Sequence, residues 1–442
     1  MLRSLFKAYS LVFIFIFSNV TYSQEIPNQL NKSEINETIT SLVKLLNDEY
    51  VYPEKAQKIT KLLNTNLKKG KYTKIKNELV FAEAIQQDMR SVVNDKHLFF
   101  EYSPDQVEQI LEAQNESENP EIKAAQLREM QRFNFGFESV KILEGNIGYL
   151  KFNNFYDTEY ASETAIAAMN FLSHTDALII DLRQNGGGSP KMIQLLSSYL
   201  FNPEPVYLSG FYWRPSDQYT QNWTLPFVPG NRMPETDVYI LTSGNTFSAA
   251  EEFTYNLKHL KRATVIGETT GGGAHPGDIK VAGRRFTVFI PNGRSTNPIT
   301  HTNWEGVGVI PHIEVAAQDA LATAQISALK NLSKKYSDSS GDLYRWYLVS
   351  ERAKLHPVEL SAETLNTYVG VYGPRTIKFE NGRLFYQRSD GPKLLLNILE
   401  QDLFELAIDS SFRLKFIKEG NKIVALQGLF DNGFKDQFSK QP

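Results

Sequence analysis

From Gly145 onward the chain alternates apolar strand-like runs with amphipathic helix-like runs, and few folds accept that rhythm. Ile147–Phe152 reads as a strand and Tyr160–Ser173 as a helix. Ala177–Leu182 is a buried strand and Pro190–Leu200 a helix. Val238–Leu241 and Ser248–Leu260 repeat the unit, and Ala263–Ile266 closes it. Each helix carries the chain back over a sheet, so consecutive strands run parallel. The rhythm predicts an α/β core. Ligands on such sheets gather at the carboxyl ends of the strands, so the loops that follow them hold the candidate chemistry.

One of those loops is the turn before Ser248. The strand Val238–Leu241 stops, a polar turn follows, and Ser248 stands where the next helix begins. A hydroxyl there faces unpaired backbone N–H groups and the positive end of a helix dipole. That setting stabilises an oxyanion and makes Ser248 a candidate nucleophile. The simpler account is that Ser248 only caps the helix.

Three further segments can converge on it. Asp181–Gly188 (DLRQNGGG) follows a buried strand and precedes a helix opened by Pro190. Its three glycines let backbone N–H groups approach a ligand, a natural oxyanion hole beside a nucleophile. It fits neither of the glycine-rich nucleotide patterns. Val93–His97 (VNDKH) lies between a helix and an apolar strand, where His97 is a candidate general base if the N-terminal helices fold over the core. His275, in GGGAHPG, is the rival base. Glu305, in WEGVGVIP, stands before a glycine-punctuated strand, where a carboxylate can orient an imidazole and stabilise its cation.

Composition bounds the reading. The 442 residues allow two or three domains, and Lys+Arg 47 against Asp+Glu 50 gives a formal net charge of −3, which points to no nucleic-acid or anionic-membrane partner. The absence of cysteine removes disulfides, thiolate metal sites and a thiol nucleophile. At the start, Arg3 and Lys7 precede an apolar stretch from Tyr9 to Phe17 that is too short to span a bilayer. Thr21 and Ser23 have signal-peptidase spacing, so residues 1–23 read as a signal peptide, cleaved after Ser23 to release an exported chain.

Residues 24–140 read as an N-terminal helical cap of three striped helices, followed by a charged helix pair over Ser103–Arg132. Residues 141–335 read as the core. Ser337–Asp342 (SDSSGD) looks like a linker ahead of a helix, the pair spanning 336–355. From His356 the pattern is β-rich, with hairpin signals at Asn381-Gly382 and Gly420-Asn421. Residues 356–442 therefore read as a small antiparallel sheet or barrel. The aromatic stretch Gly210–Trp223 either borders the cleft or packs as a loop.

The segments DKH, IGYLKFNNF, DLRQNGGGS, LTSGNTFSAAEEF, RATVIGETTGGGAHPG and WEGVGVIPHI occur in one order. That order resembles the tail-specific, or carboxyl-terminal processing, serine peptidases. It is closest to the branch with tricorn-core and interphotoreceptor retinoid-binding-protein-like domains, over roughly residues 31–315. The resemblance implies a crotonase/ClpP-like ββα core, hydrolysis of peptide or protein substrates and no cofactor or metal. It maps the nucleophile onto Ser248 and the oxyanion hole onto Gly187 and the N–H of Ala249. Two departures stand out. The processing branch carries a Lys base where this chain has Gly273, so the His-and-Glu pattern, His97 with Glu305, fits better. The tricorn-like branch places a Ser before its His, and here that residue is Lys96. No β-rich PDZ insertion is evident. A second reading keeps the fold without turnover, as a module binding an apolar ligand or a peptide.

Overall fold

A computed structural model describes residues 29–115 and 120–442. The signal-peptide reading lies outside them. The chain divides into two compact units: the chain up to Lys141 with Tyr149–Ala317, and Ile142–Gly148 with Gln318–Pro442.

The first unit begins with helices Lys32–Glu49, Pro53–Lys68 and Glu78–Val92. Asn31 caps the first, accepting the Glu34 N–H at 3.0 Å. Pro53 opens the second, where a missing N–H costs nothing. Ile35, Ile39, Leu42, Leu46, Ile59, Leu63, Phe81, Ile85 and Met89 are buried against one another. The apolar side of this group is closed by a sheet rather than by a further helix. Strand Phe99–Tyr102 pairs antiparallel with Phe286–Pro291, which pairs antiparallel with Gly277–Val281. Phe286, Val288 and Ile290 thereby join the helical core. The cap is thus α+β, and part of it is supplied by a hairpin more than 170 residues downstream. The charged stretch after Ser103 forms helices Pro104–Asn115 and Pro120–Arg132.

The main sheet has the order 313–314, 263–267, 237–242, 177–181, 147–152, 137–143. Its central strands Ala177–Asp181, Asp237–Thr242 and Ala263–Gly267 run parallel. Helices Thr158–Phe171, Pro190–Ser198 and Ala249–His259 supply the crossovers. Leu178, Ile180, Ile240, Met192, Leu196, Phe253 and Leu257 fill the space between. Because 177–181 and 237–242 are adjacent and parallel, their following loops emerge side by side. A smaller sheet pairs Tyr207–Trp213 with Gln218–Trp223 and with Gly293–Thr296.

The second unit holds helices Ala320–Lys335 and Ser339–Leu355. The polar run SDSSGD is mostly a helix start: Asp338 accepts the N–H groups of Ser340 and Gly341 at 3.1 and 3.4 Å. An eight-stranded antiparallel meander follows, from Gly370–Tyr372 to Lys435–Ser439. An isolated antiparallel bridge links Tyr372 in its first strand to Lys440, just beyond its last. Asn381 and Gly382 have φ +50° and +77°, as a two-residue hairpin turn requires.

Candidate active site

Strand Asp237–Thr242 ends at a turn tied to the neighbouring loop. Ser243 Oγ donates to Arg183 O at 2.5 Å, Thr246 Oγ1 to Leu182 O at 2.8 Å, and Phe247 N to Asn185 O at 3.0 Å. These bonds hold the turn and the glycine loop as one body. Ser248 follows with φ +54° and ψ −120°, a conformation that costs a non-glycine residue about 1–3 kcal/mol and persists only where surroundings impose it. The helix Ala249–His259 starts at the next residue. Ala249, as its first residue, has an N–H outside the helical ladder.

Gly187 (φ +105°) lies against this elbow. A Cβ there would stand 2.7 Å from Ser248 Cβ and 2.9 Å from Ala249 N, so only glycine fits. The Gly187 N–H donates to Asn185 Oδ1 within its own loop at 2.9 Å.

Beneath the elbow, Glu251 is fully buried. It accepts the N–H of Ser248 (2.9 Å), Gly272 (2.6 Å) and Gly273 (2.9 Å) and the hydroxyl of Thr270 (2.5 Å). One carboxylate thus fixes both the serine backbone and the loop 270–273. Burial is the largest influence on its pKa and raises it to about 7, against the lowering effect of those four donors. The sequence signal for Glu251 is a local one: Ser248-Ala249-Ala250-Glu251 spells the S-x-x-E capping-box pattern.

The cap brings in Asp95, Lys96 and His97. The His97 ring packs on Phe247, centroids 4.6 Å apart, and on Phe289 at 5.5 Å. It is 6% exposed, and its Nδ1 is buried with no hydrogen-bond partner. Burial pushes its pKa down to about 4, opposed by the Asp95 charge and reinforced by His275. A Cβ on Gly273 would meet Phe247 Cζ at 2.3 Å and His97 Cε1 at 2.6 Å. The imidazole therefore fills the space that any longer side chain at 273 would need. Lys96 Nζ donates to Gly271 O, tying the cap to the same loop.

His275 lies in a second cluster. Its Nδ1 is 2.9 Å from Asp95 Oδ2 and 3.4 Å from Glu305 Oε2, and its Nε2 faces Tyr52 Oη at 3.2 Å. Asp95 also accepts from Tyr50 Oη (3.0 Å) and the His97 N–H (3.1 Å). Burial acts to raise the Asp95 pKa, but the His275 hydrogen bond and charge outweigh it, and the net shift is downward. Glu305 is shifted up, first by burial and then by the Asp95 charge. Its Oε2 accepts the Ala274 N–H at 2.7 Å, while its Oε1 is buried without a partner. Among the described residues no hydrogen bond or ion pair joins Glu305 to the His97 imidazole. Ser248, Gly187 and Ala249 adjoin one another, His97 packs on the neighbouring Phe247, and Glu305 is tied to the loop 270–275 through the Ala274 N–H. Asp95, like Glu251, is a site residue with little to mark it in the sequence. Its only local signal was a place two residues before His97.

Residues 146–315 match peptidase family S41, and residues 23–135 match the N-terminal domain of peptidase S41 in eukaryotic IRBP. The first segment carries Gly187, Ser248, His275 and Glu305, and the second carries Asp95 and His97. Together they cover more than half of the chain, which belongs to the S41 peptidases, a family of serine peptidases. A carboxy-terminal-processing protease of Bartonella bacilliformis is 27% identical over 180 residues, 39% of this chain and 39% of that protein. The chain thus spans about two fifths of the curated relative it matches. A putative peptidase from Parabacteroides merdae aligns in structure with TM-score 0.47 and 17% identity over 66% of this chain and 96% of that one. A photosystem II D1 C-terminal processing protease aligns with TM-score 0.43 and 15% identity, over 65% and 94%.

Proposed function

We propose that this protein is an exported serine endopeptidase that cleaves peptide or protein substrates through an acyl-enzyme on Ser248. The observation that carries the reading is the left-handed elbow at Ser248, packed against a glycine loop on one side and, through Phe247, against a buried imidazole on the other. Strain at such a position, imposed by its surroundings, is characteristic of exposed nucleophiles. The parallel sheet and its crossovers agree with a crotonase/ClpP-like core.

In this mechanism Ser248 Oγ attacks the scissile carbonyl carbon, and His97 takes its proton. Burial keeps His97 neutral near pH 7, the state in which an imidazole accepts a proton. Glu305 then stabilises the imidazolium. The unpartnered Nδ1 of His97 and Oε1 of Glu305 are complementary, a donor and an acceptor left open in one buried region. Pairing them on substrate binding completes the triad. The Ala249 N–H and the amides around Gly187 hold the tetrahedral oxyanion, each donor contributing roughly 3 kcal/mol in comparable enzymes. The Gly187 N–H exchanges Asn185 Oδ1 for that oxygen. His97 returns its proton to the leaving amine, and water, activated by the same imidazole, releases the acyl group. The described residues between 103 and 132 are helical. Among the described residues no helix is long and apolar enough to cross a membrane, and the Arg3/Lys7 leader directs export.

Labelling by a fluorophosphonate and hydrolysis of fluorescent casein test the reading. Both are expected in the wild type and neither in Ser248→Ala; undiminished labelling of that variant would falsify the nucleophile. Equal casein hydrolysis by wild type and His97→Ala removes His97 as base. Absence of turnover in both favours a binding module on the same fold.

A further inference from the structure

We infer that Asp95 and His275 form a positioning pair that locks the base-bearing turn of the cap onto the loop beside the nucleophile. This deepens the reading above and rests on Ser248 and His97 acting as nucleophile and base.

The topology of the cap sheet brings the two residues together. Strands Phe99–Tyr102 and Gly277–Val281 flank Phe286–Pro291 and both run antiparallel to it, so they run parallel to each other. Phe99 pairs with Phe289 and Gly277 with Pro291. Both flanking strands therefore start at the same end of the sheet. His97 and His275 each stand two residues before such a start, so both imidazoles emerge at one edge. Asp95, four residues before its strand, reaches the same place.

The bonding then distinguishes the two imidazoles. His275 is 3% exposed and engages both ring nitrogens, Nδ1 toward Asp95 and Glu305 and Nε2 toward Tyr52 Oη. A base needs a free lone pair facing the nucleophile, and this ring has none to spare. Asp95 uses both oxygens, Oδ1 on the His97 N–H and Oδ2 on Tyr50 Oη and His275. The pair joins Tyr50, Tyr52 and the His97 backbone to the Ala274–Gly277 loop and to Glu305. Without the imidazole N–H, the carboxylates of buried Asp95 and half-buried Glu305 would face each other with nothing between them, and like charges at reduced dielectric repel. The turn carrying His97 would shift, and the reacting geometry tolerates little displacement.

The experiment measures kcat and KM on fluorescent casein for His275→Ala, His275→Asn and Asp95→Asn, alongside His97→Ala and His97→Asn. An asparagine amide N–H falls near the place of Nδ1–H but supplies no base. His275→Ala is expected to lower kcat about 100-fold with KM within about 3-fold, and His275→Asn to recover at least about 10-fold of that loss. At position 97 the asparagine variant recovers nothing. The double variant Asp95→Asn with His275→Ala is expected within about 3-fold of the worse single variant, because the two act as a unit. Wild-type kcat in His275→Ala overturns the pairing, as do an asparagine variant no better than alanine and fully multiplicative losses in the double variant. If circular dichroism shows His275→Ala unfolded, Asp95→Asn decides alone: about 30-fold lower kcat supports the pair, and an unchanged kcat overturns it. Full activity in Ser248→Ala instead brings down the underlying reading.

Discussion

A Cβ built on Gly187 would lie 2.7 Å from the Cβ of Ser248, so the glycine loop and the serine elbow are in van der Waals contact. The same Cβ would approach Phe247 O and Ala249 N at 2.9 Å each. All three neighbours belong to the elbow and cannot retreat without moving it. Gly187→Ala is therefore expected to lower casein hydrolysis and the rate of fluorophosphonate labelling by about 100-fold or more, while the chain still folds. Wild-type labelling by this variant would show that the loop does not serve the serine.

With His97 as the proposed base, its depressed pKa is expected to set the acid limb of activity. An unperturbed imidazole titrates near 6.5, and burial has pushed this one down to about 4. Protonation destroys the base, so kcat/KM is expected to hold steady from pH 7 to about 5 and to fall only as pH drops toward 4. The same shift affects stability. The unfolded chain takes up this proton below about 6.5 and the folded chain only near 4, so stability from this group is lost as pH falls through that window. An acid limb centred at 6.5 or above would exclude His97 as the titrating base.

Glu251 accepts four hydrogen bonds from a fully buried position. Glu251→Ala would leave three backbone N–H groups and a hydroxyl without their acceptor. Each such group costs about 1–3 kcal/mol, so a loss of at least about 3 kcal/mol is expected in urea unfolding. Labelling of Ser248 should slow with it, since the serine N–H and the loop 270–273 lose their common anchor. Glu251→Gln keeps one carbonyl and should fall between the two. An alanine variant as stable as wild type would contradict the network.

Glu252 offers a separate test away from the reacting groups. Burial raises its pKa to about 7, against the lowering effect of the Ser209 hydroxyl it accepts from. The folded chain thus holds this proton more tightly than the unfolded chain, whose carboxyl titrates near 4.5. Stability from this group is full below about 4.5 and is lost as pH rises to about 7. Glu252→Gln keeps the acceptor for Ser209 Oγ, now at 2.7 Å, and removes the titration. The variant should match wild type at pH 5 and exceed it by roughly 2 kcal/mol at pH 8. Parallel melting curves at the two pH values check this. A constant difference between the proteins would refute it.

Much of the architecture was legible from periodicity. The strands at 147–152 and 177–182, the helix after Ser248 and the turn at Asn381-Gly382 are set by neighbours a few residues away, and local pattern reports local structure. Elements built from distant segments were not legible. The strand Phe286–Pro291 carries its apolar face into the cap, and nothing in its own pattern distinguishes that partner from the main sheet. The run SDSSGD has linker composition, and only the bonds to Asp338 made it a helix start. Of the site, Ser248 and Gly187 could be read because each lies in a loop between a recognisable strand and the helix that follows it. Asp95 and Glu251 could not be ranked, because a carboxylate matters through its partners, and theirs lie up to 180 residues away.

By itself the sequence determined a parallel α/β core, helices at its N-terminal end, a β-rich C-terminal segment and a serine at the head of a helix. These follow from side-chain periodicity and capping chemistry, which act within a few turns of the chain. Only the tertiary structure decided which imidazole packs beside Phe247 and which is clamped by Asp95 and Glu305. That choice depends on the register of three antiparallel strands from opposite ends of the first unit. Register is set by backbone hydrogen bonding and burial together, which no single segment encodes.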